Sequence, residues 1–171
     1  MAEVRVRRAT EADVRAVATV HVASWREGYA HVFPRDRLAA LSLDEREMLA
    51  RNVLARPERG TLLVAEVDGA VVGFASAGAA FDPGIEAGEV YAIYVAPEHW
   101  GHGVGRALME RALQLLAERG FEQAVLWVLD DNPRARRFYE AGGWRLDGAR
   151  RKGEHLGVHT EELRYRIDVR G

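Results

Sequence analysis

The chain opens with Val4 and Val6 alternating with arginines, a period of two that predicts a short half-buried strand closed by Thr10. Thr10 and Asp13 are spaced as a capping box, and Val14, Val17, Ala18, His21 and Val22 follow at helical spacing, so a helix is expected as far as Arg26. From Ser24 to Leu41 the pattern is less regular: Trp25, Tyr29 and Phe33 interrupt it, and Pro34 is expected to start a short helical turn. Ser42 with Glu45 makes a second capping pair and opens a helix that ends near Pro57. Leu62, Leu63, Val64, Ala65 and Val67 then lead into Asp68-Gly69 and on to Val71, Val72 and Phe74, which reads as a hairpin because both turn positions need positive φ. After a loose Gly-containing stretch, Glu89 to Val95 reads as a nearly continuous apolar strand stopped by Pro97. Val104, Leu108, Ala112, Leu115 and Leu116 share one helix face that stops before Gly120, and Ala124 to Val128 is another buried strand. Asn132-Pro133 starts a helix that Gly142-Gly143 ends. Two closing strands, Trp144 to Arg151 and Thr160 to Val169, are expected to frame a polar turn. The order predicts a mixed sheet with helices on its faces.

At 171 residues the chain suits one domain, residues 1–171, and 48% apolar with 29% charged residues describes a globular protein. A net charge of -2 argues against a protein whose task is to neutralise nucleic-acid phosphates, so no nucleic-acid partner is expected. The absence of cysteine excludes disulfides, thiolate metal sites and a cysteine nucleophile, so any thiol in the chemistry must belong to a cofactor. Met1 to Arg8 lacks the apolar core of a signal peptide, and no stretch approaches the roughly 20 apolar residues that span a bilayer. A cytoplasmic location without a membrane partner is the expectation, and a homodimer is left open.

The most informative stretch runs from Val95 to Arg106, between a buried strand and an amphipathic helix. Gly101, Gly103 and Gly105 alternate with Trp100, His102, Val104 and Arg106, leaving no Cβ between an anion and the converging backbone N–H groups at a helix start. Taken alone this is either an anion-binding loop or a flexible turn with tight helix packing. His99 and His102 lack further ligands nearby, so no metal is expected there.

A second motif follows: Asn132-Pro133-Arg134-Ala135-Arg136-Arg137-Phe138-Tyr139-Glu140-Ala141-Gly142-Gly143-Trp144. With its helix-opening Asn, small residue, terminal Tyr, Gly and aromatic, and with the Gly-rich loop upstream, the chain resembles the Gcn5-related N-acetyltransferase superfamily. The resemblance implies an α/β (α+β) fold: a mixed, mostly antiparallel sheet of about seven strands with a splayed central strand pair and helices on both faces. It implies acetyl-CoA as acyl donor and the amine of a small molecule or peptide as acceptor. Ile93, Tyr94 and Val95 would bind its pantetheine through their backbone, Trp100 to Arg106 its pyrophosphate, and Asn132 another part of it, while Tyr139 would point at the sulfur. Relatives that acetylate protein N-termini often carry a catalytic Glu where this chain has Trp127, so the base must be sought elsewhere.

The reaction would be direct attack of a neutral amine on the thioester carbonyl. With reference pKa values of ~10 for Tyr and ~8.5 for a thiol, Tyr139 can donate a hydrogen bond or a proton to sulfur. Glu89 is the preferred base, since it opens the cofactor-facing strand and shares side-chain parity with Tyr91, Ile93 and Val95; Glu86, Asp82 and His159 are alternatives. Trp25, Tyr29, Glu89 and Tyr91 are the candidate acceptor-binding residues, with packing of the aromatics between helices and sheet as the other reading. A noncatalytic acyl-CoA sensor is the competing function.

Overall fold

The structure, a computed structural model, describes residues 2–169. Seven strands and five α-helices follow one another in the order β1 (Val4–Arg8), α1 (Val14–Gly28), α2 (Arg35–Ala39), α3 (Leu43–Leu54), β2 (Gly60–Val67), β3 (Ala70–Ala79), β4 (Gly88–Val95), α4 (Val104–Glu118), β5 (Gln123–Leu129), α5 (Pro133–Ala141), β6 (Arg145–His155) and β7 (Val158–Asp168). The strands form one sheet in the order β1-β2-β3-β4-β5-β7-β6. Every neighbouring pair is antiparallel except β4 and β5, which run parallel because α4 returns the chain across the sheet.

The helices divide between the two faces. On one, Val104, Leu108, Ala112, Leu115 and Leu116 of α4 meet Leu63, Ala65, Ala75, Ala77 and Val90, and Tyr139 of α5 extends the same core to Tyr165. On the other, Val14, Val17 and Val20 of α1 and Ala50 of α3 cover Leu62, Val64 and Phe74. The predicted caps form: the backbone N–H of Thr10 donates to Asp13 Oδ2 at 2.8 Å, and that of Glu45 to Ser42 Oγ at 3.2 Å. Asp68 and Gly69 take φ of 51° and 79°, as the hairpin requires.

Two expectations need correction. The closing hairpin turns at Leu156-Gly157, with φ of 52° and 75°, so β6 runs on to His155 and β7 begins at Val158. And β4 is not regular: Ser76 pairs with Ala92 but Ala77 pairs with Val90, which leaves Tyr91 as an extra residue, a β-bulge. Counting through the bulge, Glu89 shares its face with Ala92 and Tyr94, on the α1 side, and not with Ile93 and Val95, which pack on the α4 side.

Candidate active site

The site begins where the sheet parts. The pairing of β4 with β5 consists of Gly88 with Ala124 and Glu89 with Val125, after which the strands diverge. The N–H of Ala96 donates to Val72 O at 2.8 Å, so the alternation of an antiparallel ladder commits Tyr94 to β3 and turns the N–H and C=O groups of Ile93 and Val95 into the gap. Of the three residues expected to offer backbone bonds, two therefore face the opening, and Tyr94 contributes its side chain to the opposite cluster instead.

At the open end of the gap, Gly101 and Gly103 adopt φ of 76° and 83°, and a Cβ on either would meet nothing within 4 Å. Gly103 caps α4 without any side-chain bond, so the first N–H groups of the helix are left free of a side-chain partner, as an anion site requires. Gly105 serves packing instead: its Cβ would lie 3.3 Å from the Phe138 ring. The Val104 side chain is buried, His102 is exposed beside the loop, and Arg106 lies in solvent near Glu110 at 3.2 Å. Trp100 turns out to be a strut. Its backbone N–H donates to Pro97 O, its indole N–H to Val95 O at 2.8 Å, and the Arg134 guanidinium stacks 3.7 Å from its ring centroid.

Beyond the gap three phenols approach one another. Asn132 caps α5 by accepting from the Ala135 N–H at 3.2 Å and donates its amide to the Tyr29 hydroxyl at 3.3 Å, so this residue fixes α5 and α1 relative to each other. Tyr139 is buried against Trp144 and Tyr165, with ring centroids 6.3 and 6.0 Å apart. Its hydroxyl has no hydrogen-bond partner among the described residues, whereas that of Tyr165 accepts from Arg136 and donates to Glu140. Burial, with the neighbouring Tyr94 adding to it, pushes the Tyr139 pKa well above its usual value, and burial raises Tyr29 and Tyr94 as well. All three keep their protons at neutral pH.

Of the residues expected to meet the acceptor, Glu89 lies on the α1 face of the sheet. Glu89 is 8% exposed and accepts from the Phe81 N–H at 3.3 Å; burial foremost, and then Asp82, raises its pKa. Asp82 in turn accepts from the Trp127 indole at 3.0 Å and from Arg164 at 3.2 Å, tying the loop after β3 to β5 and β7. Arg151 lies 4.2 Å over the Trp127 ring and pairs with Glu162, which His155 and Arg151 together hold below the usual carboxylate range. Tyr91 does not join this group: its hydroxyl donates to the carbonyls of Ala79 and Arg59, and its ring lies on Gly60. Trp25 stacks on Phe33 and meets Tyr29, Tyr94 and His155 edge-on or tilted.

Sequence reasoning missed His21, which stacks on Tyr94 at 5.0 Å, as well as the roles of Arg164 and Glu162. Burial, and secondarily Arg46, lowers His21 to about 4. A histidine held neutral by the fold contributes stability that is full above its unfolded pKa near 6.5 and is lost as pH falls toward 4. Replacing His21 with Gln should remove about 1–3 kcal/mol of the acid destabilisation between pH 7 and 4, read as a flatter dependence of denaturant midpoint on pH.

A splayed parallel pair, a glycine cradle at a helix start and a buried tyrosine define an acyltransferase site. The family model described as the Acetyltransferase (GNAT) family matches residues 16–144, and the chain belongs to that family. It is 36% identical to an N-acetyltransferase, YuaI, of Bacillus subtilis over 76% of this chain and 74% of that one. It is 37% identical to an N-acetyltransferase of Archaeoglobus fulgidus over 78% of this chain and 88% of that one. Among solved structures, the PaiA N-acetyltransferase of Thermoplasma acidophilum, crystallised with coenzyme A, superposes with a TM-score of 0.80 at 17% identity, covering 97% of this chain and 99% of that one. No helix among the described residues is long and apolar enough to cross a membrane.

Proposed function

We propose that residues 1–171 work as one N-acetyltransferase domain that moves an acetyl group from acetyl-CoA to a primary amine of a small molecule or peptide by direct attack. The observation that carries this reading is the unpartnered hydroxyl of the otherwise buried Tyr139, beyond a strand gap whose other end is a bare glycine cradle. The residues fit the donor: the N–H groups of Gly101 to Arg106 suit its pyrophosphate, and the inward-turned backbone of Ile93 with the N–H of Val95, whose carbonyl already accepts from the Trp100 indole, suits an extended amide-bearing chain. Acetyl-CoA supplies an activated carbonyl and a thiol leaving group.

The chain's own residues do the rest. A phenol whose pKa lies well above ~10 stays protonated beside a thiolate of ~8.5, so Tyr139 acts on sulfur chiefly by donating a hydrogen bond. Glu89 faces the acceptor side with a raised pKa and takes the proton from the incoming amine, directly or through water. Asp82, clamped by Trp127 and Arg164, keeps the loop that donates to Glu89 in place.

Acetyl-CoA mixed with a panel of amines and followed by thiol release tests the reading. Turnover should rise with pH through an acid limb lying above the ordinary carboxylate range, and Glu89→Gln should remove that limb. Tight acetyl-CoA binding without turnover of any amine would favour the sensor reading instead.

A further inference from the structure

The Gly-rich loop offers backbone N–H groups and the positive end of α4, but these are partial charges. A pyrophosphate carries full negative ones. Of the arginines close by, Arg106 leans on Glu110 at 3.2 Å, and Arg136 is bound to Asp130 and the Tyr165 hydroxyl. Arg134 is different: among the described residues no carboxylate pairs with it, and its head group sits over the Trp100 ring, 3.7 Å from the centroid. Burial lowers its pKa, the reverse of Arg136, whose bond to Tyr165 raises it.

The place of this stack gives it a use. Trp100 lies just past the end of β4, with its indole N–H bound to Val95 O, and Arg134 lies in the first turn of α5, just past the end of β5. The two side chains therefore meet across the open end of the gap where the strands part. Arg134 Nη2 comes within 3.4 Å of where a Cβ on Gly28 would stand, so the end of α1 borders it too, and its charge reaches the hydroxyls of Tyr29 and Tyr139. The head group is thus turned to the gap. A guanidinium held over a ring keeps the N–H groups of its rim for other acceptors, and its planar fork matches phosphate oxygens. The bare stretch of the loop begins at Gly101, the residue after Trp100.

We infer that Arg134, seated on Trp100, binds the pyrophosphate of acetyl-CoA, supplying from α5 the full positive charge that the loop's backbone cannot. The inference rests on acetyl-CoA as the donor and on this unpaired guanidinium at the gap. Trp100 then has two tasks: it braces Val95, and it holds the arginine in place before the donor arrives, which reduces the cost of ordering a long side chain on binding.

Arg134→Met tests this, since a methionine can still lie on the indole but carries no charge. Calorimetry gives the dissociation constants of coenzyme A and of dephospho-coenzyme A, which keeps the pyrophosphate and lacks the 3′-phosphate. Displacement of coenzyme A gives that of pantetheine, which has no phosphate. Both nucleotides should bind Arg134→Met about tenfold or more weaker, by the same factor, while pantetheine changes by less than about twofold. Arg134→Lys should restore part of the loss. Added salt should weaken nucleotide binding more steeply in the parent than in Arg134→Met. Melting temperatures near the parent's certify the fold of both ligand-free variants. Equal affinity of parent and Arg134→Met for coenzyme A would overturn the inference and leave acetyl-CoA as the donor. A loss with coenzyme A that disappears with dephospho-coenzyme A would move the contact to the 3′-phosphate and overturn it as well. A loss shared by pantetheine would reduce Arg134 to a prop. A parent that binds no coenzyme A would sink the donor reading, and the inference with it.

Discussion

Tyr139→Phe should lower kcat for amine acetylation by about 10²-fold while changing the affinity for acetyl-CoA by less than about threefold. The change deletes one oxygen from a buried ring held by Trp144, Tyr165 and Phe138, and all three contacts are to the ring and not to the hydroxyl. Because no described residue pairs with that hydroxyl, its removal orphans nothing and should leave stability within about 1 kcal/mol of the parent. The loss therefore reports the interaction with the departing sulfur alone. A thiolate leaving group of lower pKa in the acyl donor should shrink the deficit, since it needs less stabilisation. Equal turnover by Tyr139→Phe and parent would reduce the tyrosine to packing.

Gly78→Val should cost about 3 kcal/mol and most of the activity. A Cβ at this position would stand 2.0 Å from Arg59 O and 2.6 Å from the Tyr91 hydroxyl, and the first of these is backbone that cannot swing away. Gly78 pairs with Gly60, and the two bare positions give Tyr91 a place to lie flat while its hydroxyl reaches the carbonyls of Arg59 and Ala79. That anchor holds the bulge, and the bulge decides which face Glu89 occupies. Chemical denaturation reads the stability loss, and kcat/KM reads the displaced carboxylate. Tyr91→Phe is the gentler companion, losing about 1 kcal/mol through its hydrogen bonds. A Gly78→Val protein as stable as the parent would show that the bulge is held elsewhere.

How much of this could be read in advance differs by element. Helix faces and the Asp68-Gly69 hairpin were legible because each rests on local chemistry: spacing, caps and positive φ at residues that accept it. The second hairpin was legible as two strands around a polar turn, but not the tightness of that turn, since Leu156 at φ 52° is a residue whose side chain argues against that conformation. The bulge was equally silent, because Glu89 to Val95 carries no glycine or proline past its start and an apolar run looks the same in either register. That is why the side-chain parity assigned to Glu89 failed beyond Tyr91. The Gly-rich loop and the Asn132 to Trp144 segment were legible as motifs, but the part Trp100 plays as the brace between Val95 and Arg134 was not. The surroundings of Glu89 were hardest to see. Arg151, Glu162 and Arg164 read as an ordinary charged strand pair, and only the pairing of β5 with β7 brings them to Trp127 and Asp82.

The two rungs that join β4 to β5 also have a mechanical meaning. Four strands on one side and three on the other are each stitched along their length, while the seam between them is two residue pairs long, with Gly88 pressed on Leu116 of α4. Backbone ladder bonds are therefore fewest along that seam, and what holds the two leaves together there is mainly the apolar core under α4. Side-chain ties span the fissure away from the seam, Asp82 to Trp127 and Arg164 among them. An extended chain bearing its own amides would, on entering the fissure, supply the rungs that β4 and β5 do not make with each other.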